Sequence, residues 1–243
     1  MVLGVYEIYR LARIAVRGSP PESLRHALQV VRLERRMHLY VERRTQDLLV
    51  RHQGLIRFLD AYHGVAHFIA VGVTLAILWR FDRCRYTFWR NTFGWLLLIG
   101  LIGFALYPVT PPRLMLSAYG FVDTARQIGG LGPVGAEGGT GGGGNEFACV
   151  PSLHAAWSLW VVLALWPLAR RWWMKALLVA HLVVMHVTII ATGKHWVVDA
   201  PAGWIALGLA VLIEAGRQRW HGVVVREPTR GSGAVVGGGE LCG

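Results

Sequence analysis

The chain is short of charge. Asp, Glu, Lys and Arg make up 16% of its 243 residues, against roughly 25% in soluble domains. That shortage, with 54% hydrophobic residues gathered in runs, argues against an ordinary soluble domain and makes a membrane protein the default. Cysteine is scarce: Cys84, Cys149 and Cys242 show no Cys-x-x-Cys spacing, so neither a zinc site nor a disulfide framework is suggested. Acid is scarce too, and the formal charge is +11. Such a balance suits anionic lipid headgroups or anionic substrates. Nucleic acid would need one soluble basic patch, whereas here the basic residues sit between apolar spans, so no nucleic-acid partner is expected. The first residues lack an uninterrupted apolar core, because Glu7, Arg10 and Arg13 break it; no cleavable signal peptide is read there.

What is present is a series of five apolar spans, near 64–81, 92–107, 151–169, 176–192 and 196–215. The expected fold is all-α, a polytopic membrane helix bundle. Trp79, Trp89, Trp166, Trp172, Trp173 and Trp196 lie near span ends, where an aromatic belt forms. Residues 1–60 read as a basic amphipathic helical arm with eleven arginines, lying on the membrane or packed on the core. Within it, Ser19-Pro20-Pro21-Glu22 has the composition of a helix start. Residues 61–216 form the membrane core, and 217–243 a flexible cytoplasmic tail. A long connection covers 115–148. Its Gly129–Gly144 segment has ten glycines in sixteen residues but lacks the Gly-Lys-Ser/Thr ending of a nucleotide loop, so it reads as linker.

Alternating the spans sorts the loops onto two sides. The 80–90 turn, the 170–175 turn and the tail hold eleven Lys/Arg, while the opposite loops hold Arg113, Arg126 and Lys194. The positive-inside rule makes the first side cytoplasmic. The arm, which precedes the first span, falls on the other side and strains that assignment. The chemistry-bearing stretches also fall there. Pro151-Ser152-Leu153-His154 opens a span with proline in the first turn, where exposed amides bind anions, and adds a hydroxyl and an imidazole. His195 and Asp199, four apart, are expected as neighbours on one helix face; the carboxylate fixes the ring and frees the other nitrogen to attack. His154 suits a general acid. Arg113 suits bidentate phosphate binding, with Ser152 and Lys194 as further donors. His63, His67, Asp123 and Tyr107 are candidates for a substrate pocket. His63 and His67 share a helix face and leave a metal-dependent hydrolase open as a rival. No metal or other cofactor is expected.

The residues Tyr107-Pro108-Val109-Thr110-Pro111-Pro112-Arg113, Pro151-Ser152-Leu153-His154 and Thr192-Gly193-Lys194-His195-Trp196-Val197-Val198-Asp199 together resemble the integral-membrane type 2 phosphatidic acid phosphatase superfamily. Within it they are similar to the branch of inositol phosphorylceramide synthases and their bacterial relatives. The resemblance covers about residues 60–215. It implies a six-helix core, an extracytoplasmic site in the cell membrane, a transient phosphohistidine at His195, Asp199 as its partner and His154 as acid. It also implies a lipid-phosphate substrate, of polyprenyl phosphate, phosphatidate or phosphoinositide type, with water or an alcohol such as inositol or a sugar as acceptor. Two departures stand out. The superfamily's lysine before the first motif falls near Leu106, and its third-motif arginine at Ile189. Phosphate binding is therefore left to Arg113, Lys194 and helix amides. The sixth helix is expected from the arm. A non-catalytic lipid-binding protein of the same fold is the rival from another class.

Overall fold

The computed structural model describes residues 18–115, 117–124 and 145–226, together with Ala12, Ala15, Val16 and Arg126; side chains are described as far as Trp220. Among the described residues there are seven α-helices: α1 (Pro20–Arg36), α2 (Glu42–Leu49), α3 (Gln53–Phe81), α4 (Arg83–Leu106), α5 (Leu153–Leu165), α6 (Trp172–Ala191) and α7 (Asp199–Arg226). Most of the arm's first seventeen residues and the Gly129–Gly144 segment lie outside the described residues. Four helices, α3, α4, α6 and α7, are long and apolar enough to cross a membrane. This is a multi-pass membrane bundle.

The exception among the five expected spans is α5. It is shorter than the 151–169 reading. At 13 residues it rises only about 20 Å, short of a hydrocarbon core of about 30 Å. It survives because it is the central helix, packed on α3, α4, α6 and α7. Trp157, Trp160, Val161 and Ala164 are buried in the main core cluster, and Trp160 Nε1 donates to the Trp89 carbonyl at 3.1 Å. Its N-terminus thus opens inside the protein. Trp79, Trp166, Trp172 and Trp173 are exposed, as a belt requires, but Trp89 and Trp196 are buried.

Helix α3 buries one stripe, Ile56, Leu59, Asp60, His63, His67, Val71, Thr74 and Leu78, with the three- and four-residue spacing of one helix face. Far from that stripe's polar end, α7 holds the fully buried Glu214. Its carboxylate accepts from Asn91 at 3.1 Å and Trp95 at 3.3 Å on α4, and from Arg217 at 2.6 Å on its own helix. The pairing makes an acid tolerable within a span. Helix α7 runs on to Arg226, past the expected end of the fifth span. Cys149 is buried.

The arm is helical as expected. Prolines at the start of α1, Glu22 in its first turn and Arg35 and Arg36 in its last suit the helix dipole. Its inward face is Ser23, His26, Ala27, Val30, Val31 and Glu34. His38, at φ 57°, turns the chain into α2. Both helices pack at the end of the bundle where α3 begins and α5 and α7 start: Thr110 N donates to Ser23 O at 3.1 Å, and His26 Nδ1 lies 2.8 Å from Pro108 O. The arm's arginines therefore join the site end, and both rims of the bundle are basic.

Candidate active site

Backbone bonds tie the three motif stretches together. Arg113 N donates to Gly193 O at 2.8 Å, and Ser152 N donates to Asp199 O at 3.0 Å. Cys149 Sγ lies 3.5 Å from Lys194 O. Gly193, at φ +65°, ends α6 in the left-handed conformation, where a side chain would also press on Arg113 N. That ending starts a turn over 192–198 which folds back under α6, with Lys194 N and His195 N both donating to Ile189 O. Trp196 anchors it: the ring is fully buried, its Nε1 donates to Thr110 O at 3.0 Å, and Tyr40 and Phe121 pack on its faces and edge.

His195 therefore sits in the turn, and Asp199 is the first residue of α7. The expected pairing on one helix face is corrected in its backbone but kept in its contact. His195 Nδ1 lies 3.1 Å from Asp199 Oδ2, which also accepts Trp196 N–H at 2.9 Å. Two donors on one oxygen fix both the carboxylate and the ring. The Nε2 edge of His195 is left for chemistry. The His154 ring centroid is 5.6 Å from that of His195. His154 in turn stacks on His63 at 4.0 Å and meets His67 edge-on at 4.7 Å. One ligating atom from each of His63, His154 and His195 lies within 4.8 Å of the others. Ser152 caps α5, its Oγ accepting Ala155 N–H at 3.3 Å. The hydroxyl proton can still be donated.

The cations are less free than their sequence positions suggest. Arg113 Nη1 bonds Asp123 Oδ2 at 3.1 Å, an ion pair that the sequence allowed. Lys194 Nζ lies 3.0 Å from Asp60 Oδ1 and 3.2 Å from His63 Nδ1. Burial pushes the Lys194 ammonium below its ordinary range, against the pull of Asp60. An ammonium donor makes His63 Nδ1 an acceptor, so the His63 proton sits on Nε2, a buried atom with no hydrogen-bond partner among the described residues. That N–H is a donor waiting for an oxygen. By distance the three imidazoles, or Cys149, His195 and Asp199, could hold a metal ion, but the ammonium beside His63 competes with any cation there.

Lys194→Met is expected to strand the Asp60 carboxylate, which is 2% exposed, at a cost of about 3–5 kcal/mol. Thermal melting should show this, and adding Asp60→Leu should recover most of it. Equal melting of the single and double variants would mean that the ion pair does not hold Lys194 in place.

Tyr107 is not turned to these groups. Its ring stacks on His26 at 4.1 Å and its hydroxyl donates to Gln29 at 2.8 Å. Asp60 was missed, although it lies three and seven residues before His63 and His67, on the same stripe. Glu34 and Glu42 were missed as well: they bond the 197–198 turn from below.

The chain belongs to the PAP2 superfamily, whose family model matches residues 28–213. This is a family of lipid phosphatases and phosphotransferases. The phosphoinositol dihydroceramide synthase of Bacteroides thetaiotaomicron is 28% identical over 159 residues, covering 59% of this chain and 52% of that protein. The chain thus spans about half the length of the curated relative that it matches. No solved structure gives a match.

Proposed function

We propose that the protein is a metal-independent lipid-phosphate phosphatase or phosphotransferase, working through a phosphohistidine on His195. The 3.1 Å bond from His195 Nδ1 to Asp199 Oδ2, with the His154 ring centroid 5.6 Å from that of His195, carries this reading. The Nε2 lone pair of His195 attacks phosphorus and the ester P–O bond breaks. The leaving oxygen takes its proton from His154. Water or an alcohol then gives its proton to His154 and attacks phosphorus, and the P–N bond breaks. Asp199 stabilises the charged ring. Ser152, Lys194, His63 and Arg113 are the donors for the phosphoryl oxygens.

The few Lys and Arg in the short loops at this end support an extracytoplasmic face; the arm brings its own arginines to the same end, where they meet anionic headgroups. The relative's name, a synthase, favours an alcohol acceptor over water, and hence transfer of an inositol- or sugar-phosphate type group.

The test uses detergent-purified protein with EDTA and a panel of polyprenyl phosphates, phosphatidates and phosphoinositides, first alone and then with inositol, sugar or lipid-alcohol acceptors. Phosphate release or transfer that survives the chelator is expected. No turnover with any donor and acceptor, or turnover that EDTA abolishes, would defeat the reading.

A further inference from the structure

The transfer chemistry leaves two fully buried acids unused. Glu34, near the end of α1, accepts Val198 N–H on Oε1 at 3.0 Å; Glu42, the first residue of α2, accepts Val197 N–H on Oε1 at 2.8 Å. These consecutive amides lie between His195 and Asp199, in a turn that offers them no helical acceptor. The other oxygens, Glu34 Oε2 and Glu42 Oε2, are buried without a hydrogen-bonded donor, and neither acid has an ion pair with a described Lys or Arg. The two carboxyls hold consecutive amides, so they sit beside one another with no described cation between them. Ionised carboxylates only accept, so two of them buried together are reconciled by a proton between them.

We propose that Glu34 and Glu42 share one proton and act as a positioning pair, gripping the Val197–Val198 turn so that His195 stays aligned on Asp199 for phosphoryl transfer. The role in transfer rests on the reading above; the shared proton and the grip do not. Burial, then the bond and charge of Glu42, push Glu34 up to about 9, with Asp199 adding to the rise and Val198 N–H opposing it. The other groups near the pair are Tyr40, whose hydroxyl burial pushes up, Tyr119, and Arg35, which bonds Tyr40. Losing the proton leaves two like charges in one buried site. Their repulsion parts α1 from α2 and frees the turn.

Glu34→Gln separates the possibilities. Its amide keeps an oxygen for Val198 N–H and a donor for the Glu42 carboxylate, but it does not titrate. Glu34→Ala removes both contacts. The folded wild type holds a proton that the unfolded chain releases above 4.5. Its contribution to stability is therefore full below that pH, falls as pH rises, and is gone beyond about 9. The wild-type melting midpoint should fall across this window more steeply than that of Glu34→Gln. The ratio of Glu34→Gln to wild-type turnover should rise on approaching pH about 9, since limbs from His154 and Lys194 cancel in the ratio. Glu34→Ala should lower kcat about 10- to 100-fold with KM little changed, and should lose the low-field proton resonance of His195 Nδ1–H, which Glu34→Gln keeps.

Parallel melting curves for wild type and Glu34→Gln across that window would overturn the shared proton. An unchanged resonance and kcat in Glu34→Ala would overturn the positioning role. If Glu34→Ala does not fold, Glu42→Gln takes its place, with the same retained resonance and flattened melting profile expected. A wild type without turnover sinks the transfer reading alone, because melting and the resonance still decide the pair.

Discussion

His195→Ala is expected to cut turnover by roughly 10³-fold or more while the protein folds and melts as before. The reasoning is chemical. In the proposed mechanism His195 supplies the atom that gains a bond to phosphorus in the first step, and Asp199, 3.1 Å away, orients that imidazole. Folding should survive because Trp196, not His195, anchors the turn through its bond to Thr110. The measurement is phosphate release or transfer with EDTA present, wild type beside the variant, with melting midpoints taken on the same samples. Residual turnover within about tenfold of wild type would show that another group attacks, and His154 would become the first alternative.

Gly203→Val should be the most damaging change remote from the chemistry. A Cβ at this position on α7 would overlap the Ser152 carbonyl oxygen and would meet Ala156 Cβ at 3.5 Å. That carbonyl is the first helical acceptor of α5, bonded by Ala156 N at 3.1 Å, and Ser152 N holds the Asp199 carbonyl at 3.0 Å. A side chain there must wedge apart the starts of α5 and α7, which carry His154 and Asp199. Overpacking of this kind costs about 1–3 kcal/mol or more, or roughly 5–10 °C of melting temperature in a chain of this size. Turnover should fall about 100-fold. Thermal melting and the lipid-phosphate assay check both parts. A variant that melts and works like wild type would mean that the helices have room to separate at that point.

Much of this was legible in the sequence because apolar runs and motif order survive folding. The spans, the helical arm and the His195–Asp199 pair were all readable from spacing. What failed was local. The four-residue spacing of His195 and Asp199 suggested a shared helix, but Gly193 and the buried Trp196 impose a turn, and the carboxylate reaches back across it. The third span looked longer because Pro151, Trp166, Leu168 and Ala169 continue the apolar pattern; the Ser152 cap starts the helix inside the bundle. Lys194 looked like a free phosphate donor, since its partner Asp60 is distant in sequence, whereas the pairing of Arg113 with Asp123, ten residues on, was within reach of the sequence. Glu34 and Glu42 passed as solvent-facing charges. A signal existed for Glu34, which continues the stripe of Ala27, Val30 and Val31, and an acid on an apolar stripe is buried for a reason. None existed for Glu42, whose burial depends on a turn formed by the other end of the chain.

Bond partners 164 positions apart also set a schedule. The ribosome makes Glu34 long before Val198, so in between the arm's two acids have no turn to hold. The bundle's first helices can enter the bilayer meanwhile, but the site cannot assemble until α7 begins to emerge. A nascent chain would therefore carry its arm folded against nothing at that end until the turn before α7 was made.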